Sequence, residues 1–461
     1  MPDVSGPRAA TTLASRTHCV PPKQAAPPAA ARRARRAAAP QALALQPARD
    51  QEEAARVTLT QDLDHARAQV LATIDDAAAP LRALSLDIHS HPELAYEEVH
   101  AHAALTSFLE ARGFSVTRGA FGVPTAFRAV AGNGAPTLAV LCEYDALPGV
   151  GHACGHNLIA AAGVATGLAL QAVLGEGNGT IVVLGTPAEE RGGGKVDLID
   201  AGAFDGVDAA MMLHPSGGKL IRSGQVRVPA NPNALQSLRV EYFGRNAHAA
   251  SAPWDGVNAL DALIQAFNNV AMLRQQMRPT ARVHGVITEG GRAPNIIPDH
   301  TAAHFYVREE NRSRLEELKP RVIACFEGAA LATGCRFESH WDGHPYSDMQ
   351  NSSPLVDAYA RHAVEVGLEP IEITQVGGGS TDMGNVSYAV PSIHPSFGLT
   401  SPDAGNHTPG FTAAAGSEEG HADMLRAAKA LALTALDAYA DEAVLVEAKR
   451  EFAARQATHS S

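Results

Sequence analysis

Residues 137–157 read TLAVLCEYDALPGVGHACGHN, and the reading of this stretch decides the architecture. Its first eight residues form an apolar run of the length of a buried strand. A turn rich in Gly and Pro follows, and from Asn157 to Val173 the chain is apolar and long enough for a helix. The pattern recurs in TIVVLGTP (180–187), followed by a helical stretch over 195–201, and in DAAMMLHP (208–215). Strands alternating with helices predict an α/β domain with a largely parallel sheet. Reactive side chains gather at the C-terminal ends of these runs, where open α/β sheets place their sites.

Upstream, amphipathic patterns predict a helix through the 60s and 70s, a second over Leu81–Ser90, and a third over 97–112 stopped by Gly113. Downstream the order changes. A strand over 236–243 (QSLRVEYF) leads to a helix over Gly256–Met277, strands over 282–289 and 299–308, a helix over Ser313–Thr333 and a strand over 335–341. This β-α-β-β-α-β order is that of a ferredoxin-like unit, inserted as a domain of about 110 residues. The α/β pattern resumes after 345 and ends on an Ala-rich helix near 416–440. The expectation is a mixed sheet with helices on both faces, built from 58–232 and 345–461. An inserted α+β unit over 233–344 and a low-complexity leader over 1–57 complete the chain.

The chain has 461 residues, 45% of them hydrophobic, with a net charge of -12. The core is large enough for more than one domain, and the acidic balance argues against a nucleic-acid partner. Cys19, Cys142, Cys154, Cys325 and Cys335 are odd in number and irregularly spaced, which argues for a reducing, cytoplasmic compartment over a disulfide framework. The apolar stretch Leu158–Leu174 is broken by Gly163, Thr166, Gly167 and Gln171; it reads as a buried helix, and no membrane association is expected. The Ala-, Pro- and Arg-rich leader lacks the apolar centre of a secretory signal and reads as a disordered extension or a start placed too far upstream. The alternative is an organelle transit peptide. Its Arg-rich run at 32–36 reads as a solvated tail.

Four motifs carry the chemistry. In GHACGHN (151–157), Cys154 and His156 stand two apart between glycines. A thiolate and an imidazole suit zinc and similar metals, although a small core Cys beside a surface His gives the same letters. The preceding Glu143 and Asp145 supply carboxylates of the kind that orient a metal-bound imidazole. In GTPAEERGGGK (185–195), Glu189 and Glu190 are adjacent at a strand end. They are either a solvated helix start or a divided pair, Glu190 on a metal and Glu189 free as general base. His214 in MMLHP ends an apolar strand, and His407 in NHTPGF precedes the last helix; neither is marked locally as a ligand. Cys154, His156, Glu190, His214 and His407 together exceed the needs of one ion and point to a two-metal hydrolytic site.

With these motifs stand IHSHPELAYEE (88–98), GRNAHAASAPWDGVNALDA (244–262), APNIIPDHTA (293–302) and GGGSTDMGNVSYAVPSIHP (377–395). Taken in order, these blocks resemble the aminoacylase/carboxypeptidase family of dinuclear metallopeptidases over about residues 80–440. The wording EYDALPGVGHACGHN and STDMGN is most similar to the branch that hydrolyses aminobenzoyl-glutamate and β-alanyl-lysine. The resemblance implies Cys154, His156, Glu190, His214 and His407 as ligands of two divalent ions, with zinc or manganese expected and cobalt or nickel also suited to the mixed donors. It implies Glu189 as catalytic base, with Asp145 and Glu143 supporting the ligands from behind. His248 would reach into a partner subunit's site and stabilise the oxyanion, so a homodimer is expected. Asn295 and Arg308 would hold the substrate carboxylate, a role that suits an Arg fork; read alone, Arg308 is an exposed strand-end charge. The glycines of 377–381 would let the backbone approach the substrate, unless they form a plain turn. His394 is read as core.

The activity implied is metal-dependent hydrolysis of an amide bond in a small dipeptide or N-acyl amino acid. Other N-acyl or indole-acetyl amino acid amidohydrolases are the alternative within the wider branch. An N-carbamoyl amidohydrolase is disfavoured because Glu143-Tyr-Asp145 stands where that group has His-x-Asp. A non-catalytic regulatory homologue is disfavoured because every expected ligand and Glu189 are present.

Overall fold

A computed structural model describes residues 63–459 of the chain apart from 176, 219–220, 373–378 and 400–403. The leader and Cys19 lie outside the described residues, as do Gly377 and Gly378.

Three helices come first: α1 (Leu63–Asp76), α2 (Ala78–Ser90) and α3 (Val99–Glu110). The main domain continues through β1 (Ser115–Arg118), β2 (Phe127–Asn133), β3 (Thr137–Cys142), α4 (His156–Val173), β4 (Gly179–Gly185), α5 (Gly194–Asp200) and β5 (Ala209–Met211). Two short strands, β6 (His214–Ser216) and β7 (Gln225–Arg227), precede the inserted unit. That unit runs β8 (Ala234–Phe243), α6 (Ala259–Leu273), β9 (Arg282–Glu289), β10 (His300–Glu309), α7 (Arg312–Thr333) and β11 (Arg336–Tyr346). The main domain resumes with α8 (Ser353–Glu365), β12 (Glu369–Ile371), α9 (Met383–Ala389), β13 (Ser392–Ile393), β14 (Ser396–Gly398), α10 (Pro409–Ala415), α11 (Glu418–Ala440) and α12 (Glu442–His459).

The main sheet has the order β1-β2-β4-β3-β5-β13. Its centre is parallel, with β3 between β4 and β5 and β13 beside β5, whereas β1 and β2 run antiparallel at one edge. The sheet is therefore mixed, as the class requires, and less parallel than the apolar runs imply, because β1 and β2 add an antiparallel edge. Apolar α4 packs on β3 and β4 and is covered by α1, α2 and α11. It is long and apolar enough to cross a membrane, yet most of it is buried inside the described chain.

The inserted unit forms a separate antiparallel sheet, β11-β8-β10-β9. Burial alternates along β10, as period-two side-chain geometry demands. One face packs Leu238, Val240, Phe305 and Val307 against α6 and α7 around a core of its own; the other turns Ser237, His304 and Tyr306 toward a cleft beside the main domain. Helix α6 starts later than its apolar pattern implies, because Pro253–Asp255 forms a 3₁₀ turn and the Asn258 side chain caps Leu260 and Asp261. Strand β5 ends at Met211, so His214 opens β6 instead of closing the preceding strand. Helix α12 has no counterpart in the sequence reading; Asp441 separates it from α11, and its polar composition hides it.

Candidate active site

Two strand ends, the start of β6 and the loop before α10 deliver the site. After β3, Glu143 and Asp145 lead into the loop that begins α4. Gly155 closes that loop with φ 79°, and a Cβ there would stand 2.6 Å from Pro215 Cγ. Only glycine lets the turn press on Pro215 and set Cys154 and His156 on either side. After β4, Ala188 holds φ 62°, a left-handed conformation uncommon for a residue with a Cβ. Its N–H donates to Glu98 Oε1 at 2.8 Å and its carbonyl accepts the Gly193 N–H at 3.0 Å, which fixes the turn that aims Glu189 and Glu190. His407 also has a positive φ, 67°, and its N–H donates to Ala153 O at 2.7 Å, tying the two histidine-bearing loops together.

The five expected ligands converge. Cys154 Sγ lies 3.5 Å from His214 Nε2, and His407 Nε2 lies 3.5 Å from Glu190 Oε1. His156 Nε2 lies 3.9 Å from Glu190 Oε1 and 3.9 Å from Glu189 Oε2. Two triads result, Cys154-His156-His214 and Cys154-Glu190-His407, each with its donor atoms within 4.8 Å of one another and with Cys154 common to both. The outward nitrogens are already committed: His156 Nδ1 faces Asp145 Oδ1 at 2.9 Å, and His214 Nδ1 faces Pro215 O at 2.6 Å.

Burial pushes the Cys154 thiol up to about 12 and the Glu190 carboxyl up to about 7, and it carries Glu189 well above the usual carboxylate range. Burial brings His214 down to about 4. For His156 burial works against the charge, but Glu143 and Asp145 outweigh it and hold the imidazole above its ordinary value. So many acids in one dry pocket cannot all ionise unless cations share it. Three buried atoms that face the site, His156 Nε2, Glu143 Oε1 and Glu190 Oε1, have no hydrogen-bond partner among the described residues. Buried polar atoms are seldom left so; a thiolate, imidazoles and carboxylates with free inward lone pairs fit divalent metal ions.

The substrate-side residues divide. Arg308, on β10, donates from Nη1 to Ser380 Oγ at 2.9 Å and lies close enough to Glu189 and His407 to interact with both. His248 and Asn295 sit together on an exposed part of the inserted unit: His248 pairs with Ile296, and the Ala249 N–H donates to Asn295 O at 3.0 Å. His248 Nδ1 accepts the amides of Ala250 and Ser251, and among the described residues none of its hydrogen bonds reaches the cluster of its own chain. A cleft of about 460 Å³ opens beside Glu190, with Tyr96, Arg191, Tyr306 and Tyr346 on its walls.

Sequence reasoning placed Glu143 and Asp145 behind the ligands but missed Lys195 and Asp382, which complete that layer. Lys195 is fully buried, with Nζ 2.6 Å from Glu143 Oε2 and 2.7 Å from Asp382 Oδ1. The available signal was a lysine ending GTPAEERGGGK and an aspartate inside STDMG, charged residues in otherwise small or apolar surroundings. His394 is buried as expected but is not remote from the chemistry: its ring meets that of His214 edge-on at 5.6 Å, and its Nδ1 faces Met212 O at 3.2 Å.

Known proteins share this arrangement of sequence and fold. The profile of peptidase family M20/M25/M40 matches residues 139–437. The chain is 46% identical to the Xaa-Arg dipeptidase of Mus musculus, over 82% of this chain and 90% of that protein. It is 31% identical to a p-aminobenzoyl-glutamate hydrolase subunit of Escherichia coli (strain K12), over 82% of this chain and 94% of that one. In fold it is similar to a dinuclear metal-binding peptidase from Bacillus subtilis, with a TM-score of 0.62, 22% identity, and coverage of 79% of this chain and 99% of the other. The chain belongs to peptidase family M20/M25/M40 and is a metallo-amidohydrolase.

Proposed function

We propose that this protein hydrolyses the amide bond of a small dipeptide or acylated amino acid at a centre of two divalent ions, held by Cys154, His156, Glu190, His214 and His407. The observation that carries the reading is the pair of donor triads joined at Cys154, since a donor common to two triads would let two ions sit side by side. Zinc or manganese fits the mixed donors, and cobalt or nickel would also be accepted. When bound, such ions polarise the scissile carbonyl and acidify water.

The chain's own residues do the rest. Glu189 is buried beside His156, where burial raises its basicity; it takes the proton of the attacking water and passes it to the leaving amine. Arg308, near Glu189 and half-buried, holds the substrate carboxylate, and Asn295 assists. His248 stabilises the oxyanion, and because it lies away from the cluster in its own chain, it does so in the site of a partner subunit. The inserted unit is the dimer contact and lid. In support, β9 is an edge strand with Val286 and Ile287 exposed by 62% and 46%, and Met272 on α6 is exposed by 71%; a bare apolar edge of this kind is normally covered.

The names of the relatives favour a dipeptide, with a basic C-terminal residue, or aminobenzoyl-glutamate over indole-acetyl conjugates. The test is a panel assayed with metal-reconstituted protein: β-alanyl and γ-aminobutyryl dipeptides, dipeptides ending in Arg or Lys, p-aminobenzoyl-glutamate, and N-acetyl and indole-acetyl amino acids. Turnover highest on the dipeptides supports the reading. Turnover confined to acetyl or indole-acetyl substrates selects the alternative. No turnover with any metal overturns catalysis.

A further inference from the structure

Lys195 presents an energetic question. Removing an ammonium from water costs several kcal/mol unless it is well paired, and this one is fully buried. It lies in the first turn of α5 and reaches two carboxylates from distant segments, Glu143 Oε2 at 2.6 Å and Asp382 Oδ1 at 2.7 Å. Its own backbone N–H donates to Asp382 Oδ2 at 2.9 Å. Two anions and one cation leave the trio with one negative charge. Asp382 is fully engaged on both oxygens, so the surplus falls on Glu143 Oε1.

That oxygen is buried and lacks a hydrogen-bond partner among the described residues. It stands 3.4 Å from His156 Nε2 and 3.9 Å from His214 Nε2. Those are the inward nitrogens of the two imidazoles, whose other nitrogens are held by Asp145 and Pro215. Two donors each about 2.1 Å from a tetrahedral ion are about 3.4 Å apart, which is the spacing of Glu143 Oε1 and His156 Nε2; that to His214 is wider, at 3.9 Å. If Glu143 served only as a counter-charge for Lys195, both of its oxygens would be expected to turn to the lysine or to other donors.

We propose that Glu143 is a further direct ligand of the ion held by Cys154, His156 and His214, and that Lys195, braced by Asp382, is the positioning residue that aims it. Lys195 takes one carboxylate oxygen and leaves the other to point inward. Glu143 would then add a carboxylate oxygen to the donors of that ion, beside His156 and His214, whereas Cys154-Glu190-His407 offers three donors to the other. This rests on the two-ion reading of the site.

The test uses the full chain loaded with cobalt and, separately, with zinc. Metal affinity is read by competition with a chromophoric chelator, and coordination by the visible absorption of the cobalt protein. Wild type should bind two ions. Glu143→Gln, an isosteric change, should weaken one of them at least tenfold and alter the cobalt spectrum. Lys195→Met should weaken the same ion about tenfold, but should add nothing in the Glu143→Gln background, because it acts through that carboxylate. If Lys195→Met fails to fold with two anions left facing each other, the pair Lys195→Met with Asp382→Asn removes one charge of each sign and should show the same dependence on Glu143. Unchanged affinity and spectrum in Glu143→Gln overturn its role as ligand. An equal effect of the Lys195 replacement in both backgrounds overturns the positioning role. A wild-type protein that binds no metal instead overturns the two-ion reading itself.

Discussion

Asp145 Oδ1 stands 2.9 Å from Nδ1 of His156, with both side chains buried. The other oxygen of Asp145 accepts the backbone N–H of Glu190 at 2.8 Å. One carboxylate thus holds an imidazole from α4 and the peptide that carries a second candidate ligand past β4. A proton on Nδ1 shared with Asp145 leaves the Nε2 lone pair aimed inward, which is how a ligating histidine is usually oriented. Asp145→Ala should therefore lower metal affinity about 10- to 100-fold with the fold retained, as read by chelator competition and circular dichroism. Unaltered affinity would show that His156 is oriented by the loop alone.

Glu189→Gln should keep both ions and the melting temperature but lose kcat on the order of a thousandfold or more, since proton transfer in the hydrolytic step loses its base. Metal analysis and steady-state kinetics on the same preparation decide it. Near-normal turnover would move the role to another residue.

The legible and illegible parts of this molecule separate on physical grounds. The strands over 137–142, 179–185 and 300–309 could be read because fully buried or alternating strands write their environment into the residue pattern, and α4 because a helix buried on nearly all sides is apolar nearly throughout. Cys154, His156 and Glu190 were legible as motifs because glycines or a strand end force a turn there, whereas His214 and His407 carried no local mark and entered through the resemblance of the ordered blocks. Glu143 and Asp145 were legible as supporting carboxylates, but Lys195 and Asp382, and their meeting with Glu143, were not. Their meeting is a matter of tertiary distance, and a lysine after a glycine run looks like a surface residue until the depth of α5 is known. Strand β1 escaped because it is a short, polar edge, and β2 because beyond Phe127 its buried side chains are only alanines.

Gly163 offers a test of how tightly α4 is seated. In an exposed helix, Gly→Ala would gain about 1 kcal/mol from helix propensity. Here a Cβ would stand 2.5 Å from Cys142 Sγ and 2.8 Å from Leu141 O, against the backbone and side chains of β3. Overpacking of this kind costs about 1–3 kcal/mol, so the clash wins and Gly163→Ala should be net destabilising. Denaturant midpoints measure it; a stabilised variant would mean that α4 moves off the sheet at little cost.

Asp437 on α11 sets an acid limit on stability. It accepts Arg67 Nη2 at 3.1 Å, Arg361 Nη2 at 2.7 Å and faces His362 Nε2 at 2.7 Å. Burial alone would raise its carboxyl, but His362, Arg67 and Arg361 together bring it from 3.8 down to about 2. A carboxyl depressed in the folded state contributes stability that is fully present above its unfolded pKa and is lost as pH falls through the folded one. The contribution, on the order of 1–2 kcal/mol, should hold above about pH 4 and disappear toward about pH 2. Urea unfolding of wild type and Asp437→Asn should show a gap near pH 6 that closes at the acid end. A gap independent of pH would assign the loss to packing.

The exposed position of His248 makes the strongest prediction about assembly. Its ring is fixed by the amides of Ala250 and Ser251 on the inserted unit, while Glu189 lies buried in the main domain. If each active site combines the Glu189 of one subunit with the His248 of the other, Glu189→Gln and His248→Ala should each be nearly inactive alone. After subunit exchange, a mixed dimer contains one site in which both residues are intact and one in which both are lost. Random exchange makes half of the dimers mixed, each with one competent site, so activity should return to about a quarter of wild type. Native mass measurement confirms the exchange independently of activity. Exchange without recovery would mean that His248 acts within its own chain or only in the architecture of its loop, and the inserted unit would then be a lid without a share in its partner's chemistry.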